Sequence, residues 1–359
     1  MHHAIVLAEP APLAEVSLDW REVETPEPSE GQLRIRVAGC GVCRSNLHMI
    51  EGDWVGGGLP AFTPIVPGHE VTGIVDAVGA GVEGFQVGDR VGTQPLWWTC
   101  EECEHCLGGR EQYCARRITA GERVDGGYAE YMLSTAAHTY RVPPELDLVA
   151  AAPLFCPGIT AYTAVSSLGL RRGERVAVFG LGGVGHMAVQ FAALAGAEVT
   201  AVARNPSHLE AAGELGATTL VDVTDDDAVA ALRGTMDAAV LFAPSDAVAR
   251  TARASVRLGG RIVSGVNADF GTIRFAEGKS YSGSLLGSRA AMHEVLALAA
   301  AGRIRTVVEE FPLREAREAL DRLARGEIRS RGVLRMMDDA ETRPRVARRD
   351  GSRASQQHR

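Results

Sequence analysis

Short segments of alternating apolar and polar residues fill the chain up to about residue 150, and glycines and prolines separate them. Clear examples are residues 32–37, Val71–Val78 and 88–92. Because side chains alternate between the two faces of a strand, this pattern is typical of strands with one buried face. With turn residues this frequent, it predicts a partly open antiparallel barrel.

From about residue 171 the pattern changes to strands and helices in alternation. Arg175–Phe179 has four apolar residues after its arginine and is predicted to be a buried strand, residues 184–194 have helical spacing, and Glu198–Ala203 is the next predicted strand. This alternation predicts a doubly wound parallel sheet in an α/β fold. Further strands are predicted at residues 217–221, 237–242 and 261–264. A helix at 290–301 and a mixed segment at 307–337 are predicted to return to the first domain.

Size and charge narrow the range of functions. The chain has 359 residues, of which 46% are hydrophobic, enough for two domains with their own cores. The net charge of -8 disfavours nucleic acid and anionic membranes as partners. Residues 148–170 and 176–197 are long enough to span a bilayer, but prolines and glycines interrupt them, so we expect buried core segments and no membrane span. Residues 339–359 are Arg-rich and lack apolar periodicity, which predicts a disordered tail.

Four of the seven cysteines form a compact C-x2-C-x2-C-x7-C pattern. Four thiolates within one short lobe can satisfy tetrahedral zinc and leave no open position, as in structural zinc sites. The alternative is a disulfide framework, which suits short secreted chains, and we expect no signal peptide because the first residues lack a basic region and a long apolar run. Cys40 is left over and is expected to be a small buried residue. Seven thiols indicate a reducing compartment, hence the cytoplasm. The predicted structural ligands are Cys100, Cys103, Cys106 and Cys114, in a lobe at about residues 95–115.

A second candidate metal set is dispersed along the chain. It consists of Cys43, the adjacent His69 and Glu70, and Cys156. Two sulfurs and one imidazole leave a coordination position open, as a catalytic zinc requires. The spacing alone does not prove that these residues meet.

The sequence GLGGVG at residues 180–185 lies directly after a predicted strand and opens a predicted helix. Glycines there permit a tight turn and close backbone approach, so that a pyrophosphate can bind at the helix N-terminus. The alternative is a glycine-rich turn that packs helix against strand. We predict a dinucleotide site, with contacts from Gly180, Gly182, Gly183, Val184 and Gly185.

The end of the second strand indicates which dinucleotide binds. An NAD site is expected to have an acidic residue there for the adenosine ribose. This chain has Ala203 followed by Arg204, and a guanidinium suits a 2′-phosphate. We therefore predict NADP(H), with NAD(H) less favoured. The alternative is that Arg204 is a solvated loop residue and that cofactor choice is loose.

These motifs together resemble the zinc-dependent alcohol dehydrogenases of the medium-chain dehydrogenase/reductase superfamily, over about residues 4–337. The resemblance rests on residues 41–48 (GVCRSNLH), 67–73 (PGHEVTG) and 154–162 (LFCPGITAY), on the cysteine lobe, on the glycine motif, and on 283–289 (GSLLGSR). It implies a GroES-like β-rich catalytic domain and a Rossmann domain. The implied boundaries are 1–155 for the catalytic domain, 156–288 for the Rossmann domain, and 289–338 for the return to the catalytic domain.

The resemblance also implies roles for individual residues. Cys43, His69 and Cys156 match the ligands of the catalytic zinc, and Glu70 matches a residue behind it that is an occasional ligand. Ser45 and His48 match the family's proton relay. Two arginines, Arg44 and Arg289, match positions that contact the cofactor phosphates.

The chain departs from the family pattern at two positions. Asn46 stands where most relatives have an aspartate behind the zinc-bound histidine, so a hydrogen bond remains possible but a charge is lost. Pro95 stands where several small-alcohol enzymes have a tryptophan that narrows the substrate pocket, whereas Trp54 is kept. Trp97 or Trp98 either refills that space or packs beside the zinc lobe. A wider pocket favours aromatic or medium-length substrates.

The leading interpretation is an NADP(H)-dependent zinc alcohol dehydrogenase, or aldehyde reductase, with two zinc ions per chain. The resemblance implies that Cys156 favours simple primary alcohols and aldehydes, because the polyol dehydrogenases of the family commonly have a glutamate at this position. The second interpretation is a biosynthetic reductase of an activated C=N or C=C bond on the same scaffold, and the third is a non-catalytic zinc-binding adaptor. The expected partners are a small-molecule substrate and further copies of the chain, in a dimer or tetramer.

Overall fold

The computed structural model of the chain describes residues 1–344 and contains a β-rich part and a parallel α/β part. The strands run in chain order as follows: β1 His2–Leu7, β2 Leu18–Val23, β3 Gln32–Gly41, β4 Val71–Val78, β5 Arg90–Thr93, β6 Leu96–Trp98, β7 Ile118–Thr119, β8 Tyr131–Thr135, β9 Thr139–Arg141, β10 Arg175–Phe179, β11 Glu198–Ala203, β12 Thr219–Asp222, β13 Met236–Leu241, β14 Val256–Ser264, β15 Ser280–Gly283, β16 Val308–Pro312 and β17 Arg331–Arg335.

Helices connect the parallel strands and flank the β-rich part. They are α1 Arg44–Glu51, α2 Glu104–Leu107, α3 Leu148–Ala151, α4 Pro157–Ser167, α5 Gly183–Leu194, α6 Pro206–Glu214, α7 Asp226–Ala231, α8 Asp246–Ser255, α9 Arg289–Ala300, α10 Ala316–Arg325 and α11 Asp339–Thr342. Their starts follow local capping chemistry. Pro157 opens α4, where a missing N–H costs nothing, and the Ser288 hydroxyl accepts from the N–H of Ala291 at the start of α9.

The α/β part contains a six-stranded sheet in the order β12-β11-β10-β13-β14-β15, with every pair parallel. The central strands β10 and β11 are buried beyond their first residue, which explains why they are continuous apolar runs. This is the doubly wound order, in which the direction of strand succession reverses beside β10. Ligands of such sheets bind outside the carboxyl ends of the strands at that reversal.

The β-rich part is organised by a seven-stranded sheet. Its order is β16-β17-β3-β4-β5-β9, and β8 also pairs with β3. The last strand, β17, pairs antiparallel with β3, so this C-terminal segment lies in the sheet of the β-rich part. The largest core cluster takes side chains from both parts of the chain, including Ala38 and Tyr140 from one and Val176 from the other.

The predicted strands β4, β10 and β11 have the bounds expected from the sequence. Strand β12 begins at Thr219, two residues later than predicted, and β14 begins at Val256, five residues earlier. The domain boundaries at 155/156 and 288/289 stay predictions.

The predicted tail begins too early, because residues 339–344 are ordered by contacts with the β-rich part. Thr342 is fully buried, and the Arg90 guanidinium donates to its carbonyl oxygen at 3.2 Å. Arg36 forms an ion pair with Glu341 at 2.5 Å. Helix α11 is only four residues long and has no apolar periodicity, so it could not be predicted from the sequence. The rest of the predicted tail, 345–359, lies outside the described residues.

Within residues 1–344, no single helix is long and apolar enough to cross a membrane. Leu148–Phe155 and Pro157–Ser167 reach that length and composition only when joined, with a bend of 43° between them.

Candidate active site

The dispersed metal set comes together at the base of α1. Cys43 directly precedes α1, His69 and Glu70 directly precede β4, and Cys156 directly precedes α4. All four side chains are buried, and their candidate ligand atoms lie within 4.8 Å of one another. Residues separated by more than 110 positions thus meet because β3 and β4 are antiparallel neighbours and α4 begins beside them.

The geometry of this cluster fits zinc. The sulfurs of Cys43 and Cys156 are 3.9 Å apart. Zinc–sulfur bonds of about 2.3 Å at a tetrahedral angle would place two sulfurs about 3.8 Å apart. His69 Nε2 is buried and has no hydrogen-bond partner among the described residues. A buried ring nitrogen without a partner is costly unless it has a ligand role. Two sulfurs and one imidazole then leave one position for a substrate oxygen.

The two sulfurs are not equivalent. The contact between the two sulfurs lowers the pKa of Cys43 and raises the pKa of Cys156, because one of the pair retains the shared proton. The positive charge of Arg331 also lowers the pKa of Cys43, against the effect of burial. Because the thiolate is the form that binds metal, Cys43 is prepared for ligation.

Asn46 lies behind His69, as the resemblance implied. Its amide is 3.3 Å from His69 Nδ1, and its oxygen accepts from the Tyr128 hydroxyl at 3.5 Å. Burial raises the pKa of Tyr128, so this hydroxyl stays protonated and remains a donor. For Nε2 to bind a metal, Nδ1 must carry the ring hydrogen and donate it to the Asn46 side-chain oxygen, so the amide must present its oxygen to the ring; this contact adds no charge.

Glu70 is held by a residue that sequence reasoning missed. The Arg331 guanidinium forms a two-point ion pair with the Glu70 carboxylate, with Nε 3.1 Å from Oε2, and both side chains are buried. A buried, ionised glutamate in the PGHE segment is stable only with a positively charged partner, so the sequence indicated that one exists. The sequence could not indicate which arginine supplies it, because Arg331 lies 261 positions away on β17.

Arg331 also touches the glycine-rich loop. A Cβ added at Gly183 would lie 2.9 Å from Arg331 Nη1, so the guanidinium packs directly on the first residue of α5. The metal cluster and the predicted cofactor loop are therefore adjacent, and one arginine contacts both.

The loop itself has the conformation that its glycines permit. Gly180 follows β10 with φ 88°, and a Cβ there would lie 2.6 Å from the backbone nitrogen of Ala243. Gly182 caps α5, and a side chain at Gly185 would overlap the carbonyl oxygen of Gly180. Val184 lies in the first turn of α5, whose N–H groups point out of the helix start.

No carboxylate occupies the end of β11, where Ala203 is followed by the exposed Arg204. Asn205 next to it caps α6 and accepts from the backbone N–H of Ser207. In the neighbouring strand, Asp222 is in register with Ala203. Its carboxylate oxygen accepts from the backbone N–H and the hydroxyl of Thr224, at 2.9 and 2.8 Å.

The predicted relay residues Ser45 and His48 both lie on α1, three positions apart and therefore on one face. Arg44 opens the same helix, is exposed, and contacts the Leu323 carbonyl oxygen at 3.5 Å. The rings of His48 and Trp54 are 5.9 Å apart.

Pro95 is buried, and its carbonyl oxygen accepts from Ala120 at 3.0 Å. Trp97 donates its indole N–H to Leu133 at 3.0 Å and packs against the core of the β-rich part. Its contacts support the packing interpretation for this tryptophan.

The four-cysteine lobe also fits zinc. The sulfurs of Cys100 and Cys103 lie 3.8 and 3.5 Å from that of Cys106. The four sulfurs, including that of Cys114, lie within 4.8 Å of one another. None of the seven cysteines is in a disulfide, which removes the disulfide framework as an explanation.

The predicted role of Arg289 at the cofactor phosphates is not supported by its contacts. Its guanidinium pairs with Glu101 at 2.7 Å and with Glu111 at 3.2 Å, and its backbone N–H also donates to Glu111. Two carboxylates already neutralise this arginine, so a phosphate would have to displace them. Arg289 joins the start of α9 to the cysteine lobe, and we remove it from the candidate cofactor site.

Comparison with known proteins agrees with this geometry. Residues 29–144 match the alcohol dehydrogenase GroES-like domain, and residues 183–301 match the zinc-binding dehydrogenase family. An alcohol dehydrogenase from Geobacillus stearothermophilus is 39% identical, covering 89% of this chain and 96% of the relative.

Two solved structures have the same fold. The alcohol dehydrogenase of Aeropyrum pernix is 32% identical with a TM-score of 0.86, covering 93% of this chain and 100% of that one. A cinnamyl alcohol dehydrogenase from Sorghum bicolor is 28% identical with a TM-score of 0.83, covering 93% and 97%. The chain therefore belongs to the zinc-dependent alcohol dehydrogenases of the medium-chain dehydrogenase/reductase superfamily.

Proposed function

We propose that this chain is an NADP(H)-dependent zinc alcohol dehydrogenase that interconverts primary alcohols and aldehydes. The observation that carries the proposal is a buried ligand set with one open position, placed beside a glycine-rich loop at a helix N-terminus. An oxygen bound at the open position would lie next to a nicotinamide whose pyrophosphate occupies that loop.

The ligand roles follow from the donor chemistry. Cys43, His69 and Cys156 would hold the catalytic zinc, and Glu70 would lie behind it as an occasional ligand. The four cysteines of the lobe would hold a second, structural zinc. When bound, the catalytic zinc supplies a Lewis acid for the substrate oxygen, and the nicotinamide carries the hydride.

The protein's own residues position the reactants and move the proton. Burial of the cluster excludes water from the reacting oxygen, which strengthens each electrostatic contact there. The Ser45 hydroxyl exchanges a proton with the substrate oxygen, and His48 passes that proton to or from solvent. Arg44 and the N–H groups at the start of α5, with Val184 in the first turn, bind the phosphates, while Ala203 and Arg204 lie at the adenosine end.

We propose aromatic or medium-length aldehydes as the preferred substrates. Trp54 supplies an aromatic wall, and Pro95 is smaller than a tryptophan at the same point. Trp97 donates to the Leu133 carbonyl oxygen and packs against the core, and Trp98 is 37% exposed, which supports packing beside the zinc lobe over refilling that space. The related Sorghum protein is a cinnamyl alcohol dehydrogenase, which agrees with an aromatic substrate on this scaffold.

The second candidate function is a reductase of an activated C=N or C=C bond. Asn46 favours it, because an amide in place of a carboxylate behind His69 changes the electron donation to the metal. The presence of Ser45 and His48 on one face of α1 favours the carbonyl reaction.

The first prediction concerns the proton relay. Zinc-loaded protein should oxidise NADPH with a panel of aliphatic and aromatic aldehydes. Ser45→Ala should lower kcat by about 10²- to 10⁴-fold, because the hydroxyl that transfers the proton is lost. Ser166→Ala removes an exposed serine on α4 and should leave kcat unchanged.

Steady-state rates across the panel, with zinc content measured in parallel, decide the outcome. If protein with two zincs binds NADPH but reduces none of the aldehydes, the carbonyl reaction is wrong and the C=N or C=C reaction becomes the leading proposal.

The second prediction concerns cofactor choice. The kcat/KM of the parent for NADPH should exceed its kcat/KM for NADH. The Arg204→Ser variant should have a kcat/KM for NADPH that is lower by about 10- to 100-fold. This is the effect expected when a charge-assisted hydrogen bond of about 1.5–3 kcal/mol is lost. The NADH value should stay within about threefold, because NADH lacks the 2′-phosphate. Arg314→Ser, at another exposed arginine, is the matched control. A parent enzyme that prefers NADH would refute the proposal.

The third prediction concerns assembly into a dimer or tetramer. Among residues 1–344, β15 is an edge strand of the parallel sheet that pairs only with β14, and Phe275 and Ile273 before it are 100% and 62% exposed. An unpaired edge beside exposed apolar residues is typical of an interface with a second copy.

Analytical ultracentrifugation should therefore show a dimer or tetramer at micromolar concentration. Phe275→Asp should shift the protein towards monomer, and Val87→Asp, at a side chain that is 64% exposed on the β-rich part, should not. A monomeric parent would contradict the proposal.

We also propose a reducing location, the cytoplasm, because none of the seven cysteines forms a disulfide and six of them lie in candidate metal sites. The acidic net charge of -8 supports a small-molecule substrate over nucleic acid.

A further inference from the structure

The histidine of the relay is held by the turn that ends its helix. Helix α1 stops at Gly52, whose φ of 85° lies in the left-handed region. The backbone N–H of Asp53 then donates to the carbonyl oxygen of His48 at 3.0 Å. A glycine in this conformation reverses the chain and closes such bonds onto the last helical turn. Asp53 is thereby folded back over His48.

The side chains of the two residues meet as well. Asp53 Oδ2 lies 2.6 Å from His48 Nδ1. An ionised carboxylate can only accept, so Nδ1 carries the hydrogen in this contact. Within residues 1–344, His48 Nε2 has no hydrogen-bond partner in the protein. The contact therefore sets the tautomer and leaves Nε2 as the ring nitrogen that is available to accept a proton.

The His48–Asp53 pair contributes more to the orientation of the imidazole than to the stability of the fold. The side chains of His48 and Asp53 are 33% and 54% exposed, and an ion pair at such exposure contributes little to folding. The backbone bond holds Asp53 next to His48, and the imidazole contacts the Asp53 carboxylate and lies with its ring centre 5.9 Å from that of Trp54. Ser45 is three positions earlier on the same face of α1, so one bridging hydroxyl or water can connect the two side chains.

We propose that Asp53 is a positioning residue for the proton relay, which fixes His48 with hydrogen on Nδ1 so that Nε2 exchanges the substrate proton. In alcohol oxidation, Ser45 Oγ takes up the substrate O–H proton and passes its own proton through the bridge to His48 Nε2, while the bound nicotinamide would accept the hydride. The resulting imidazolium is balanced by the Asp53 carboxylate until it releases a proton to water. This inference rests on the proposed function for its kinetic consequence but not for the tautomer.

The test measures tautomer and rate in the same zinc-loaded, NADP⁺-bound protein. Histidine labelled with ¹⁵N gives separate Nδ1 and Nε2 signals, and the signals lost in His48→Gln identify this residue. The parent should show hydrogen on Nδ1. Asp53→Asn should yield a mixture or a reversal of tautomers, because an amide can donate as well as accept. It should also lower kcat for alcohol oxidation by about 10- to 100-fold, with KM within about threefold.

Two variants complete the design. Asp53→Glu keeps the carboxylate and should restore the Nδ1–H signal and most of kcat. Glu51→Gln removes a negative charge from the last residue of α1 without touching His48 and should change neither readout. The proposal is wrong if Asp53→Asn leaves the tautomer unchanged, or changes it without lowering kcat in an enzyme that Ser45→Ala inactivates. If the parent shows no alcohol turnover, the proposed function fails by itself, and the NMR spectra still decide the tautomer.

Discussion

The buried ion pair between Glu70 and Arg331 is the contact on which the site depends. It joins the strand that follows the PGHE segment to the last strand of the sheet, and it places a guanidinium against the start of α5. Removing one partner of such a pair leaves an unpaired buried charge, at a cost of about 3–5 kcal/mol. Two glycines make the room for it. A side chain at Gly41 would overlap the Glu70 carboxylate, and one at Gly183 would crowd Arg331. Glycine in these motifs thus serves the metal site as well as the cofactor loop.

Charge neutrality explains how so many ionisable groups stay buried at one place. Zinc bound by two thiolates and a neutral imidazole carries no net charge, and the Glu70–Arg331 pair adds none. Asn46 also keeps the buried cluster neutral, because an aspartate at this fully buried position would add a negative charge. The amide retains a polar partner for the His69 ring through its 3.3 Å contact with Nδ1. Asn46 therefore leaves the metal site with one negative charge fewer than an aspartate would, and such a site can still be active.

Much of the fold could be predicted from local sequence motifs. Contacts between residues far apart in the sequence could not. Strands β4, β10 and β11 could be bounded from the sequence because their apolar runs end at turn residues. The four-cysteine lobe is equally local. The partners of arginine were not predictable, because a guanidinium pairs with whichever carboxylate the fold brings near. Arg331 was missed for this reason, and Arg289 was assigned to phosphates although Glu101 and Glu111 hold it. The order of residues 339–344 likewise depends on Arg90, about 250 positions earlier in the chain.

The central claim is that this chain builds two separate zinc sites, one closed and one with an open position. The most direct measurement is zinc content per chain by mass spectrometry, in the parent and in two variants whose folding is verified by circular dichroism. The account predicts two zincs in the parent and one in Cys43→Ser, with the remaining zinc lost only when Cys103 is also replaced by serine. A folded parent with a single zinc, or a folded Cys43→Ser protein that still holds two, would contradict it.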